Sequence, residues 1–516
     1  MLSTTNTKVT TSKHANTTRN SPKTNPASKQ KPKNVSPSCP DHLPLSPIHP
    51  HRTLGNIPQP FRSTIVYQRL ILFPILLGSL LALGTGCPSK ARVKQRPTFR
   101  CDALGIAPKK RFQVANGEFL GGSSTSLRRQ LIKLAWRRAI DPSFGARQLT
   151  WRLNPEETAR PVLDPEEGHL FVGNEQRFFS SLSAKTGKII WSKRLQGRVV
   201  SAATFDQDRV YVGTTSGLLY ALSRQTGKEI WKYQAKGEIL SSPVLIPERE
   251  DKDKEIPAQL AFTSSDNKLQ VLQAKDGKWL WQVKHDPPEQ LTIRGQAPPT
   301  LHNGILYTGF SDGTVIALRV EDTQQLWKVS LRDNDRFPDV DSPLTFHKGK
   351  VFAASYNGAL HAIDAKTGKK LWKHKLKFAS KVAIKHNEVF ATNPEGDIVS
   401  LNKESGKVRW KSHFKHAKSL GAPVVYNNNL ILGDRNGMKI LDIKKLNALR
   451  TCLQQHKKVY KSSDLELEKI QKRYQKYTTV QKIRLGHGLA SRPIVSSGMM
   501  YAFTNEGKLY AFRLQR

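Results

Sequence analysis

An all-β fold, an eight-bladed β-propeller of four-stranded antiparallel blades closed into a ring by an N-terminal strand, is what this sequence predicts, on three observations. A nonapeptide of the form D-x-x-T-G-K-x-x-W recurs: SAKTGKIIW from Ser183, SRQTGKEIW from Ser223, QAKDGKWLW from Gln273, RVEDTQQLW from Arg319, DAKTGKKLW from Asp364 and NKESGKVRW from Asn402. A strand-like hexapeptide directly precedes each of these and appears eight times, at 177–182, 217–222, 267–272, 313–318, 358–363, 396–401, 436–441 and 507–512. The copies follow one another at 38 to 50 residues, except for a last interval of 71, and about 40–50 residues is the length of one blade.

Within each unit the elements follow in order. A Ser-Pro-like entry (SSPVL, SPLTF, GAPVV, SRPIV) leads into a short strand. A β-branched or aromatic run such as RVYVG (209–213), GILYTG (304–309) or KVFAAS (350–355) forms the next, and the hexapeptide the third. Thr-Gly then makes a tight turn whose Gly accepts a positive φ, with the Lys directed to water. The Trp lies in the outer strand, where a ring wedged against the neighbouring blade buries on the order of 150–250 Å².

The eighth unit ends four residues before the C-terminal Arg516, too early for an outer strand of its own. QLTWRL (148–153) is expected to supply it, which closes the ring and removes exposed sheet edges. Trp151, Trp191, Trp231, Trp281, Trp327, Trp372 and Trp410 then share one structural job. Blade 7 breaks the pattern. Where its Trp is due the chain reads DIKKLNALR, and residues 446–482 predict an inserted helical hairpin, the second helix opened by a Ser463/Glu466 capping box and carrying Leu467, Ile470, Tyr474 and Tyr477 at helical spacing. The insertion is either a partner arm or decoration.

The region before the propeller (147–516) divides in three. Residues 1–64 form a basic leader too poor in large apolar side chains to fold, and are expected to be disordered. Residues 65–87 hold LILFPILLGSLLAL (70–83), an apolar run of 14 flanked by Arg69 and by small residues before Cys87. Spanning a bilayer takes about 20 residues, so a signal h-region fits better. LALGTGC resembles a bacterial lipobox, with Gly84 where that pattern has Leu; lipidation at Cys87 is the expectation and an uncleaved membrane anchor the alternative. Residues 88–146 form a basic linker. Its segment SLRRQLIKLAWRRAI (126–140) aligns Leu127, Leu131, Leu134 and Ala135 on one helical face, predicting an amphipathic helix that lies on a membrane or packs on the next domain.

The net charge of +42 is densest before residue 150, where 24 basic side chains meet 4 acidic ones. Such a field attracts polyanions, among them anionic lipid or lipopolysaccharide. The sequence shows no zinc-finger spacing and no RNP-type aromatic run, so specific nucleic-acid binding is not expected. Four scattered cysteines (Cys39, Cys87, Cys101, Cys452) make no disulfide framework and no C-x-x-C. Cys101 and Cys452 are read as unpaired thiols, with pairing in an oxidising compartment as the alternative.

The repeat resembles that of pyrroloquinoline-quinone-type propellers, which include quinoprotein dehydrogenases and non-enzymatic envelope proteins. The dehydrogenases carry an adjacent Cys-Cys pair and a Ca²⁺ cage, and neither stands out here, so no catalytic residue, metal or cofactor is expected. Over roughly 148–516 the closer resemblance is to the BamB family of outer-membrane assembly lipoproteins, carried by LTIRGQAPP (291–299), PDVDSPL (338–344) and VFAASYNGALHAIDAKTGKKLWK (351–373). The resemblance implies a non-catalytic periplasmic scaffold on the outer membrane, or alternatively anchored at the inner membrane. In that family the first two segments bind the barrel subunit BamA, which implies contact roles for Leu291, Ile293, Arg294, Asp339 and Asp341. On the residues alone, the two aspartates equally well cap a turn, braced by Arg294. A quinone-dependent dehydrogenase and a generic polyanion-binding propeller are the alternative functions.

Overall fold

The computed structural model describes residues 131–140, 159–251, 254–286, 296–332, 337–356, 358–414, 417, 419–489 and 491–515. They build eight four-stranded antiparallel sheets in chain order. Blade 1 runs from inner to outer strand (a to d) as Val162–Asp164, His169–Gly173, Phe178–Ser183 and Ile189–Arg194, and the blades after it repeat that order. Strands b and c are buried along nearly their whole length because both sheet faces pack on neighbouring blades, so they read as apolar runs rather than as alternation. The rim strands, such as Glu229–Gln234, are exposed at every second residue or more. A small ribbon, Arg249–Asp251 with Lys254–Ile256, is inserted between strands a and b of blade 3 and accounts for its greater length.

The ring is closed by an N-terminal strand, but not by the segment expected. Strand d of blade 8 is Ile132–Ala139, paired antiparallel with Lys508–Leu514 so that Ile132 faces Leu514 and Ala139 faces Lys508. Three expectations are corrected together. The 126–140 segment contributes a strand rather than an amphipathic helix, the propeller begins inside the supposed 88–146 linker, and the closing Trp is Trp136 rather than Trp151. Trp151, with QLTWRL, lies outside the described residues. Ile132, Leu134 and Trp136 alternate in the sequence, a period-2 pattern that coexisted with the helical spacing of Leu127, Leu131 and Leu134, and a bulge between Leu134 and Trp136 interrupts it in the strand. A partner from the far end of the chain decided between them. Gln481, on the outer strand of blade 7, clips the closing strand in place: its amide accepts from Ile132 N at 3.2 Å and donates to Ile132 O at 3.1 Å.

The T-G turn and the Trp prove to be two halves of one joint. The indole of one blade lies against the turn glycine of the next: a Cβ on Gly187 would stand 2.5 Å from the Trp136 ring, and one on Gly368 2.8 Å from Trp327. Gly227, Gly277 and Gly406 meet Trp191, Trp231 and Trp372 in the same way. Each of these indoles donates its N–H to a carbonyl of that turn, Trp136 to Ala184 (3.0 Å), Trp191 to Arg224 (3.0 Å), Trp231 to Ala274 (3.1 Å), Trp327 to Ala365 (2.9 Å) and Trp372 to Lys403 (2.8 Å). The ring thus buries its face and satisfies its only polar atom in one contact. The joint is reinforced between blades 1 and 2 by a buried ion pair, Arg224 Nη2 to Asp164 Oδ2 at 2.6 Å.

Blade 7 carries the predicted insertion between its strands c and d: α1 (Ile443–Tyr460) and α2 (Asp464–Thr478), the second opened by the Ser463/Glu466 capping box. The hairpin leans on blade 6. Asn447 donates to Glu388, a carboxylate also held by Arg409 and Ser400, and Gln471 donates to Lys411 O. Cys452, fully buried beside Leu449 and Tyr474, is disulfide-bonded, which overturns its reading as a free thiol. The other three cysteines lie outside the described residues.

The joint predicts an asymmetry between two glycines of blade 5 with nearly equal positive φ. Gly349 has open space where a Cβ would stand, whereas Gly368 faces Trp327. Gly349→Ala is expected to cost only backbone strain, about 1–2 kcal/mol. Gly368→Ala should cost ~1–3 kcal/mol more by displacing the ring. Urea unfolding of the two variants measures the difference, and equal losses would remove the joint from the account.

Candidate functional site

Because successive strands reverse direction, the d-to-a and b-to-c connections of every blade emerge on one face and the a-to-b and c-to-d turns on the other. The T-G turns occupy the second face. Of the segments singled out by sequence, the described residues 296–299 and 338–344 lie in d-to-a connections and belong to the first.

Leu291, Ile293 and Arg294 lie outside the described residues, while Asp339 and Asp341 are both placed. Phe337 takes a left-handed conformation (φ 52°) that turns the chain inward. Val340 then inserts against Gly309, where a Cβ would come within 2.3 Å of it, and its N–H bonds to Phe310 O at 3.1 Å. With Val340 wedged in place, Asp339 is 0% exposed, its carboxylate turned into the protein, and its carbonyl accepts from Tyr356 N at 2.7 Å. Asp341 keeps part of its surface open, and Ser342 Oγ ties the loop to Ala379 O at 2.8 Å. Burial pushes the Asp341 carboxyl up to about 6, and the like charge of Asp339 adds to the shift.

Two groups on this face escaped the sequence reading. Phe337, Tyr356 and Phe378, from three successive connections, form a half-buried aromatic cluster, with Tyr356 edge-on to Phe378 at 4.8 Å and 6.3 Å from Phe337. Each follows no repeat of its own, which is why no pattern flagged it. The second group appears only when the blades are aligned on their inner strands. Two residues before strand a stand Arg160, Ala202, Ser242, Pro298, Pro343, Lys381, Ala422 and Arg492 in blades 1 to 8, all but Ala202 half-buried. The residue after each is fully buried between blades, so this position points the other way, into the axial channel. Three of the eight are cations and none is acidic.

Asp341 supplies a pH test. Its carboxyl is raised in the folded chain, so between about 4 and about 6 the native state holds a proton that the unfolded chain has released. Its favourable contribution is complete below that window and lost as pH rises through about 6. Asp341→Asn should leave stability unchanged near pH 4 and raise it by on the order of 1 kcal/mol near pH 7.5. Parallel pH profiles for variant and parent, from denaturant unfolding, would contradict the shift.

Comparison with known proteins agrees with this architecture. Among solved structures the chain is similar to BamB from Moraxella catarrhalis (TM-score 0.57, 18% identity, 74% of this chain and 99% of that one). It is also similar to quinohemoprotein alcohol dehydrogenases from Pseudomonas putida (0.54, 11%, 74% and 76%) and Comamonas testosteroni (0.52, 13%, 74% and 76%). At these identities the likeness establishes the fold alone. No curated protein matches the chain. The family model described as outer membrane protein assembly factor BamB matches residues 136–212, 203–365 and 357–516, beginning at the Trp that closes the ring. The chain therefore belongs to the BamB family of pyrroloquinoline-quinone-type repeat propellers.

Proposed function

We propose that this chain is a non-catalytic, membrane-anchored periplasmic scaffold of outer-membrane β-barrel assembly, which binds a BamA-type subunit through its d-to-a face. Family membership supports the general reading. The observation that carries the site is the wedged 337–344 loop, which leaves Asp341 half-buried on the same face as the Phe337, Tyr356 and Phe378 cluster. Such a surface combines aromatic anchors with a charge fixed in direction, the composition of interface hot spots. In this reading Leu291 and Ile293 add apolar anchors and Arg294 a planar fork for carbonyls or carboxylates. Asp339, being buried, acts from inside by holding the loop.

The disulfide of Cys452 supports an oxidising compartment, as expected of an envelope protein. Cys101 is its partner in this proposal, which leaves Cys87 for lipidation. Against the dehydrogenase reading, the sequence has no two adjacent cysteines, and among the described residues no three His, Cys, Asp or Glu side chains gather as metal ligands.

Co-purification from envelopes tests the docking face. Arg294→Glu and Asp341→Lys are expected to reduce recovery of the BamA-type subunit at least tenfold with the melting temperature nearly unchanged, while Lys185→Glu, on an exposed turn of the opposite face, should leave recovery intact. Undiminished recovery with Arg294→Glu would sink the proposed site. A generic polyanion binder would instead release its partners in moderate salt whichever of these residues is changed. A dehydrogenase would oxidise alcohols with a dye acceptor once supplied with quinone and Ca²⁺; no turnover is expected.

A further inference from the structure

The axial channel gathers three cationic side chains that have no acidic partner among the described residues. Arg160, Lys381 and Arg492 belong to blades 1, 6 and 8, yet Lys381 is held down to about 8 by burial and by the charges of Arg492 and Arg160, and Arg492 to about 10 by burial and by Arg160. Arg160 and Arg492 stand at the same position of the neighbouring blades 1 and 8 and Lys381 at that position of blade 6, so all three face the ring axis from the entry of their inner strands. None of the three makes a side-chain hydrogen bond or ion pair with another described residue, and Nε of both Arg160 and Arg492 is buried without a partner.

The same fold treats another buried guanidinium differently. Arg224 receives the Asp164 carboxylate at 2.6 Å and two backbone carbonyls at 3.0 Å. Half-buried cations left without a counter-charge, with no acidic side chain at any of the eight equivalent channel positions, impose a penalty that a neutral residue would avoid. The other five blades use Ala, Ser and Pro there, so the position itself does not demand charge. Beside Lys381, between the inner strands of blades 4 and 5, a cavity of about 450 Å³ extends the site and is lined by His302 and His347. Two guanidinium forks and an ammonium facing one axial space, with the cavity opening beside the ammonium, match the several oxygens of a compact, multiply charged anion.

We propose that the axial channel is a binding site for a polyvalent phosphate-type oxyanion, held by Arg160, Arg492 and Lys381 at the mouth on the d-to-a face. The site is independent of the docking residues, and it stands or falls without them.

The experiment is thermal unfolding and calorimetric titration of the full chain with inorganic pyrophosphate, against sodium chloride of matched ionic strength. Pyrophosphate should raise the melting temperature by several degrees beyond the chloride control and bind with submillimolar affinity. The Arg160→Gln/Arg492→Gln double variant should lose at least tenfold in affinity and, freed of the mutual repulsion, melt no lower than the parent without the anion. Lys381→Met gives a second, independent reading with the same expected direction. Equal stabilisation of parent and both variants, or no effect beyond chloride, would overturn the proposal. Sedimentation with phosphatidylcholine vesicles containing phosphatidic acid then distinguishes the source: a deficit in the double variant assigns the site to a lipid headgroup, and equal sedimentation with the calorimetric loss retained assigns it to a free anion.

Discussion

The ring depends on one contact, an indole laid across the turn glycine of the next blade. A four-stranded blade has two apolar faces and no stability alone, so each must be clamped to its neighbour in a fixed rotation. The Trp supplies apolar area, and its N–H bond to the turn carbonyl sets direction. Gly is needed twice over, for the left-handed backbone and for room under the ring. The turn's first residue shapes it from below: Asp364 Oδ1 accepts from Lys366 N at 3.1 Å and Thr367 N at 2.8 Å. The Thr367 hydroxyl, which donates to the same oxygen at 2.8 Å, and these backbone bonds hold the carboxyl below the usual carboxylate range.

Exceptions show what the joint does. Between blades 3 and 4 the turn glycine is absent, Thr323 takes the left-handed position (φ 59°), and Trp281 packs on Leu318 and Val320. Between blades 6 and 7 the turn is replaced by α1. Trp410 packs on Ile443 and Leu446, and its N–H is buried without a partner. Between blades 7 and 8 no Trp is present, and the Gln481 amide holds the closing strand by backbone hydrogen bonds instead. A repeat with an unpaired end must be joined there by a different chemistry.

The blade count, strand order, helical insertion and its capping box were legible because each rests on residues within about ten positions of one another. Ring closure was legible as a need but not as an address. The closing strand is an edge with exposed Arg137 and Arg138, and only its pairing with Lys508–Leu514 distinguishes it from a helix. The motif named Asp339 and Asp341 alike as contact residues, and only Asp341 keeps part of its surface open. A D-V-D string cannot reveal that Val340 wedges into Gly309 and turns the first aspartate inward. The channel cations were illegible for another reason: Arg160, Lys381 and Arg492 are 111 to 332 residues apart and acquire meaning only once the blades are superposed on the axis.

Both candidate sites lie on the face that carries no T-G turns, and the joint explains why. A c-to-d turn that must fit beneath an indole has little freedom in length or composition, and blades 1 to 6 all spend that turn on their neighbour. The d-to-a connections carry no such duty. They are anchored at one end by residues buried between blades, as Val340 is, and are otherwise free to vary in length and side chain. Such loops can accumulate binding residues without weakening the ring. The same division places the channel cations: one residue before strand a is committed to the blade interface, the residue before that faces the axis, and only the second can change charge without opening a joint.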